Sequence, residues 1–213
     1  MDEKKIKVAM ITNHLDITGI SEVVMNYCKM LNREQFDLTI ITGKPIAEKY
    51  QNECMHYNIK VCELPSRHQS PLFHYWKLWK KMFENRFEII HVHGNSSMMS
   101  VELTLARMAR IKIRIAHCHT SHCSNIRIHR LLNPYFKRTY TRALACGKMA
   151  GDWLYGKNNF EVLPNGCYTE QFVFASIQRT KMRRQLDLVD KFVIGHIGRF
   201  NESKNHPYLA VNC

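Results

Sequence analysis

The chain has 213 residues, 45% of them hydrophobic, enough for one large domain or one and a half. No run of about 18 apolar residues occurs, which excludes a membrane-spanning helix at the level of sequence. The formal net charge is +13, and residues 103–151 hold ten Lys or Arg and no Asp or Glu, a one-signed stretch suited to nucleic acid, anionic lipid or a phosphorylated substrate, or simply to a solvated surface.

The chain enters an apolar run over 6–12 directly from Met1-Asp-Glu-Lys-Lys, without a signal-peptide h-region, so a cytoplasmic location is expected. That run reads as a first strand, and a loop over 13–19 follows it. In the helix over 21–31, Val23, Val24, Tyr27, Met30 and Leu31 share one face. A strand over 36–42 closes on Gly43. The helix over 45–56 starts at Pro45, a residue suited to a first turn. Strands over 59–62, 87–93, 113–119, 142–146 and 161–163 then alternate with helices over 71–83, 97–109 and 125–140 and one between 146 and 161. Pro134 is expected to kink its helix. Most strands are continuous apolar runs, which indicates an α/β fold with a parallel sheet covered on both faces.

Leu163-Pro-Asn-Gly-Cys167 is turn chemistry and marks a boundary. Beyond it come a polar helix over 176–186 and a last apolar strand over 192–198. Arg199, Lys204 and Asn205 stand at and after its carboxyl end. Open α/β sheets bind ligands at such ends, and two cations near a helix start suit a diphosphate. The expected organisation is a domain over 1–165, a connector over 166–190, and the beginning of a second nucleotide-binding domain over 191–213, truncated early.

The eight cysteines form no C-x-x-C pair, so reduced thiols are expected. Cys118-His119 and His122-Cys123 are a candidate metal cluster, set against the plainer reading of small buried residues beside site histidines. No metal is expected.

Four segments in this order resemble a GT-B fold retaining glycosyltransferase of family four, of the type that builds capsular and exopolysaccharides. They are Asp16-Ile-Thr-Gly-Ile-Ser-Glu22, Ile90-His-Val-His-Gly94, Ile115-Ala-His-Cys-His-Thr120, and Leu163-Pro-Asn-Gly166 with Ile197-Gly-Arg-Phe200 and Lys204-Asn205. The resemblance implies two Rossmann-like domains, the first for the acceptor and the second for a nucleotide sugar, with no metal or other cofactor. It implies hexosyl transfer with retention to a lipid-linked or saccharide acceptor. By it, His119 is the catalytic residue that holds the transferred sugar, and Gly19, Arg199 and Lys204 bind the donor diphosphate. The family pattern has Gly-Gly where this chain has Thr18-Gly19; glycine there gives backbone approach and the needed φ. His93 and His117 are acceptor-side candidates, His117 being placed behind His119, and His91 is weaker.

The segment Phe73-His-Tyr-Trp-Lys-Leu-Trp-Lys-Lys-Met-Phe83 spaces Trp76, Trp79 and Phe83 along one side, with Lys77, Lys80 and Lys81 beside them. That pattern suits an interfacial helix on an anionic membrane, which would make the protein peripheral at the inner face of the plasma membrane; an ordinary core helix is the alternative. Taken alone, the chain is expected to be inactive. Other functions in view are a non-catalytic acceptor-binding partner of a separately encoded C-terminal half, and a basic nucleic-acid-binding protein. No zinc-finger, helix-turn-helix or RNA-recognition signature supports the last, so no nucleic-acid partner is expected.

Overall fold

The computed structural model describes residues 4–198, 200 and 204–208, and the chain divides into two compact units, Met1–Cys167 and Tyr168–Cys213. The first unit runs β1 (Ile6–Leu15), α1 (Gly19–Met30), β2 (Phe36–Ile46), α2 (Glu48–His56), β3 (Lys60–Leu64), α3 (Pro71–Asn85) and β4 (Ile89–Gly94). A 3-10 turn (Ser97–Met99) then leads into α4 (Ser100–Met108), β5 (Ile113–Cys118), α5 (Ile126–Phe136), β6 (Arg142–Ala145), α6 (Lys148–Tyr155) and β7 (Glu161–Val162). The strands form one parallel sheet in the order β3-β2-β1-β4-β5-β6-β7. The order in which strands are added reverses between β1 and β4, and open sheets of this kind form a ligand crevice beyond the carboxyl ends at such a switch point.

Strand residues alternate between two cores. Val8, Met10, Leu38 and Ile40 pack with Val24, Met25 and Cys28 of α1 and Tyr50 and Cys54 of α2. On the other face, Ala9, Ile11, Ile90, Val92, Ala116 and Cys118 meet Leu78 and Met82 of α3, Leu103 of α4, Phe136 of α5 and Tyr155 of α6. Runs apolar at both parities are what burial of both faces requires. The Tyr155 hydroxyl is shared between the carbonyls of Ala116 (2.7 Å) and Leu144 (2.9 Å), tying β5 to β6.

Near its carboxyl end β1 carries an irregularity: pairing passes from Thr12↔Thr42 to His14↔Gly43, leaving Asn13 without a partner. A Cβ at Gly43 would lie 2.8 Å from the Asn13 carbonyl oxygen, so the two backbones approach this closely only with glycine there. The sheet ends at β7, two exposed residues, and at β3, where Lys60 and Glu63 are exposed and Lys60 pairs with Asp37 at 2.7 Å.

In the second unit, a short 3-10 turn (Thr169–Phe172) precedes the polar helix α7 (Ser176–Gln185). The strand expected over 192–198 does not form. Residues 191–198 have no regular structure, and Phe192 (93%) and Ile197 (102%) are fully exposed. A strand needs a neighbour to take its backbone hydrogen bonds, and no other strand occurs among the described residues of this unit.

Candidate functional site

Two His-x-His pairs build the centre of the site. Residues two apart on a strand face the same way, so His91 and His93 of β4 lie on one face, as do His117 and His119 at the end of β5. Parallel pairing sets His93 opposite His117. The four imidazoles therefore tile the α1 side of β4 and β5, where an apolar core would otherwise continue. His91 Nε2 is 3.1 Å from His117 Nδ1, and His93 Nδ1 is 3.0 Å from His119 Nε2. The rings stack, with His91 and His117 5.2 Å apart and 7° from parallel. The ring of Tyr27, from α1, covers them at 5.8 Å from His117 and 6.3 Å from both His91 and His93.

Burial dominates their electrostatics. His91, His93 and His117 are 6%, 3% and 0% exposed, and His119 is half-buried. Loss of water lowers the His91 pKa to about 3, that of His117 to about 2 and that of His119 to about 4, and holds His93 well below 6.5; neighbouring imidazoles add to this for the first two and for His93. All four are neutral at pH 7. Burial also raises the pKa of the Tyr27 phenol. Among buried atoms, His93 Nε2, His117 Nε2, His119 Nδ1 and Tyr27 Oη have no hydrogen-bond partner.

The start of α1 borders the same crevice. Thr18 caps it, its Oγ1 accepting from the Ser21 amide at 3.3 Å. Gly19 is the first helical residue; it is exposed, and a Cβ there would meet nothing within 4 Å. Its φ is not positive, so the expectation that glycine supplies a special backbone angle is corrected. What Gly19 offers is an open approach to the helix N-terminus, where amides lack helical partners and favour an anion.

Of the diphosphate candidates, Lys204 is exposed in the second unit, its side chain beside Gly198, and Arg199 lies outside the described residues. Cys118, His119, His122 and Cys123 do not converge as the sequence suggested. Cys118 faces the opposite core and donates to the Thr120 carbonyl, and the histidine and cysteine side chains of adjacent β5 positions point to opposite faces. The close group of metal-ligand type among the described residues is instead His91, His93 and His117. Sequence reasoning weighed these histidines singly. The signal for the cluster was His-x-His twice, on strands that a right-handed crossover makes neighbours.

On α3, Leu72, Phe73, Trp76 and Phe83 are exposed while His74, Leu78 and Met82 are buried. Trp76 stacks on Phe73 and Lys80 lies over its ring; Lys77 lies over Phe73. Lys80 and Lys81 both reach Glu84. Trp79 is half-buried, stacked on Phe83, with its indole nitrogen buried. No helix among the described residues is long and apolar enough to cross a membrane.

Comparison with known proteins bears on this arrangement. The chain is 29% identical over 226 aligned positions to EpsF of Bacillus subtilis (strain 168), a protein that bears a glycosyltransferase name, covering 98% of this chain and 58% of that one. Anabaena Alr3699/HepE in complex with UDP superposes with a TM-score of 0.76 at 18% identity, and in complex with UDP-glucose with 0.74 at 16%. Those alignments cover 96% and 95% of this chain and 56% of HepE. Acinetobacter baumannii MurG gives a TM-score of 0.54 at 11% identity. The structural likenesses are of fold, the GT-B type, and the chain spans little over half the length of EpsF and HepE. Residues 17–171, which contain α1, all four histidines and the whole of the sheet after β1, match the model of Glycosyltransferase Family 4, and the chain belongs to that family.

Proposed function

We propose that this chain is the acceptor-side part of an enzyme that moves a hexose from a nucleotide-diphosphate sugar to a lipid-linked saccharide acceptor, with retention, in exopolysaccharide or capsule synthesis. The observation that carries the reading is His119: a neutral imidazole at the carboxyl end of β5, half-buried, beside the switch point of the sheet, and held by His93. The UDP and UDP-glucose in the HepE structures support a uridine-diphosphate donor.

In this mechanism the departing diphosphate gathers negative charge while the sugar becomes oxocarbenium-like. We assign that charge, without a metal, to the open amides at Gly19, and fixed donors of this kind are worth several kcal/mol where water is excluded; Arg199 and Lys204 are the cations that the family resemblance assigns to the diphosphate. His119 orients the sugar, and His93 and His117 back it from the acceptor side. Alone, the 213 residues are expected to transfer little or no sugar. The exposed aromatic and lysine side of α3 and the basic helix α5 lie on one sheet face, which supports docking on an anionic bilayer at the inner face of the plasma membrane.

The test is transfer by the complete enzyme, the chain being expressed with a sugar-nucleotide domain encoded with it or separately. UDP-sugars and a lipid-linked diphosphate acceptor are supplied, and the product anomer is read by NMR. Retained product is expected, with kcat lowered about 100-fold or more by His119→Ala. An inverted anomer overturns retention, and a wild-type rate in His119→Ala overturns the role given to that residue.

A further inference from the structure

The histidine face has a second property that does not depend on sugar transfer. We propose that His91, His93 and His117 form a transition-metal site, suited to Zn²⁺, Co²⁺ or Ni²⁺, within the sheet face that α1 covers. One ring nitrogen from each of the three lies within 4.8 Å of the other two, and all three residues are buried.

The geometry is close to that of a coordination shell. With metal–nitrogen bonds of about 2.0–2.1 Å, ligand nitrogens of a tetrahedral site are about 3.3 Å apart. His91 Nε2 and His117 Nδ1 are 3.1 Å apart, so that edge needs almost no adjustment. The widest separation must close by about 1.5 Å, which is within the reach of small ring rotations. Both strands fix the backbone through ladder pairing on either side, β4 between β1 and β5, and β5 between β4 and β6.

The bonding capacity left over points the same way. Hydrogen bonds join the imidazoles only in two pairs, and His93 Nε2 and His117 Nε2 remain buried with no partner. Buried polar atoms are nearly always satisfied in native proteins, so the orphaned His93 Nε2 beside the His91 Nε2–His117 Nδ1 edge marks an unmet ligand; His117, coordinating through Nδ1, keeps its Nε2 outside that shell. A metal would meet it. If His93 coordinates through Nε2, its Nδ1 keeps the bond to His119, which then orients the ligand from behind, the arrangement usual around metal-bound histidine. Three neutral nitrogen donors select a borderline ion over Mg²⁺ or Ca²⁺, which want oxygen. They also leave a fourth position for an oxygen ligand. The site is distinct from the donor diphosphate, whose charge the proposed mechanism leaves to protein cations.

The test uses the 213-residue chain, made without a histidine tag and stripped with a chelator. It is titrated with Co²⁺ while the visible d–d absorption is recorded, then challenged with Zn²⁺, and imidazole NMR resonances are followed in the wild-type chain. One equivalent of Co²⁺ with intense tetrahedral-type bands is expected. Zn²⁺ should bleach these bands, with resonance shifts confined to the histidines of β4 and β5. His93→Gln plus His117→Gln should weaken binding about 100-fold or more, and His122→Ala should leave it unchanged. Folded wild-type chain that gives no such bands overturns the proposal. So do resonance shifts confined to histidines elsewhere, which report on wild-type protein even if the double variant fails to fold.

Discussion

The Nδ1 of His93 lies 3.0 Å from the Nε2 of His119, on the neighbouring strand. A neutral pair at that distance shares one hydrogen, so one ring donates and the other accepts, and a second proton on the accepting nitrogen breaks the bond. His91 and His117 repeat the relationship one step deeper.

Acid should therefore unfold this protein from within. The folded pKa values lie near 3 for His91 and 2 for His117, and well below 6.5 for His93, chiefly through burial. Unfolded histidine titrates near about 6.5. Below that pH the unfolded chain binds protons that the folded chain refuses, so this stability is fully present above about pH 6.5 and is lost as the pH falls toward the folded values. With chelator present, urea unfolding should show a loss of a few kcal/mol between pH 7 and pH 5. A midpoint that holds steady over that range would show that these rings protonate without cost.

Tyr155→Phe should destabilise the first unit by about 1–2 kcal/mol, because the hydroxyl is fully buried and is the donor to two strand carbonyls at once. Urea denaturation with an unchanged m-value is the expected form. An unaltered midpoint would mean that the β5–β6 ladder holds without the tie.

Two glycines should respond in opposite ways. Gly43→Ala places a methyl 2.8 Å from the Asn13 carbonyl and should cost about 1–3 kcal/mol. Gly19→Ala meets open space in a helical first turn and should leave the melting temperature unchanged or raise stability by up to about 1 kcal/mol. In the complete enzyme the same methyl should obstruct the diphosphate and lower transfer at least about tenfold. Equal melting temperatures for the two variants would refute the close backbone approach at Gly43.

Vesicle flotation tests the α3 surface. Binding to anionic liposomes should weaken with salt and fall about tenfold or more in Phe73→Ser plus Trp76→Ser. Trp76 is the better target than Trp79, whose half-buried indole risks the fold. Equal binding to neutral and anionic vesicles would argue against the role.

Much of the architecture was legible because it is local. The apolar runs at β1, β4 and β5 and the one-sided spacing in α1 fall where periodicity puts them, with no end moved by more than three residues. His119 was legible as a strand-end residue. The cluster was not, because it depends on which strands become neighbours and on register, neither of which is written in one strand. Gly19 was read as a loop residue that needs a special φ, and it opens α1 in helical backbone instead. The missing strand over 192–198 has the same origin: an apolar run states a preference, and only a neighbouring strand can satisfy it.

The borders of the sheet bear on how this protein behaves in concentrated solution. An open β edge templates further strands, and a long flat one invites fibrils. Here one border is two residues long and the other sets exposed Lys60 and Glu63 along a five-residue strand. Neither offers a long apolar ladder to a second molecule, since Val61 and Val162 each adjoin a charged residue of a short strand, so these two borders are poor templates for sheet extension between copies of the chain.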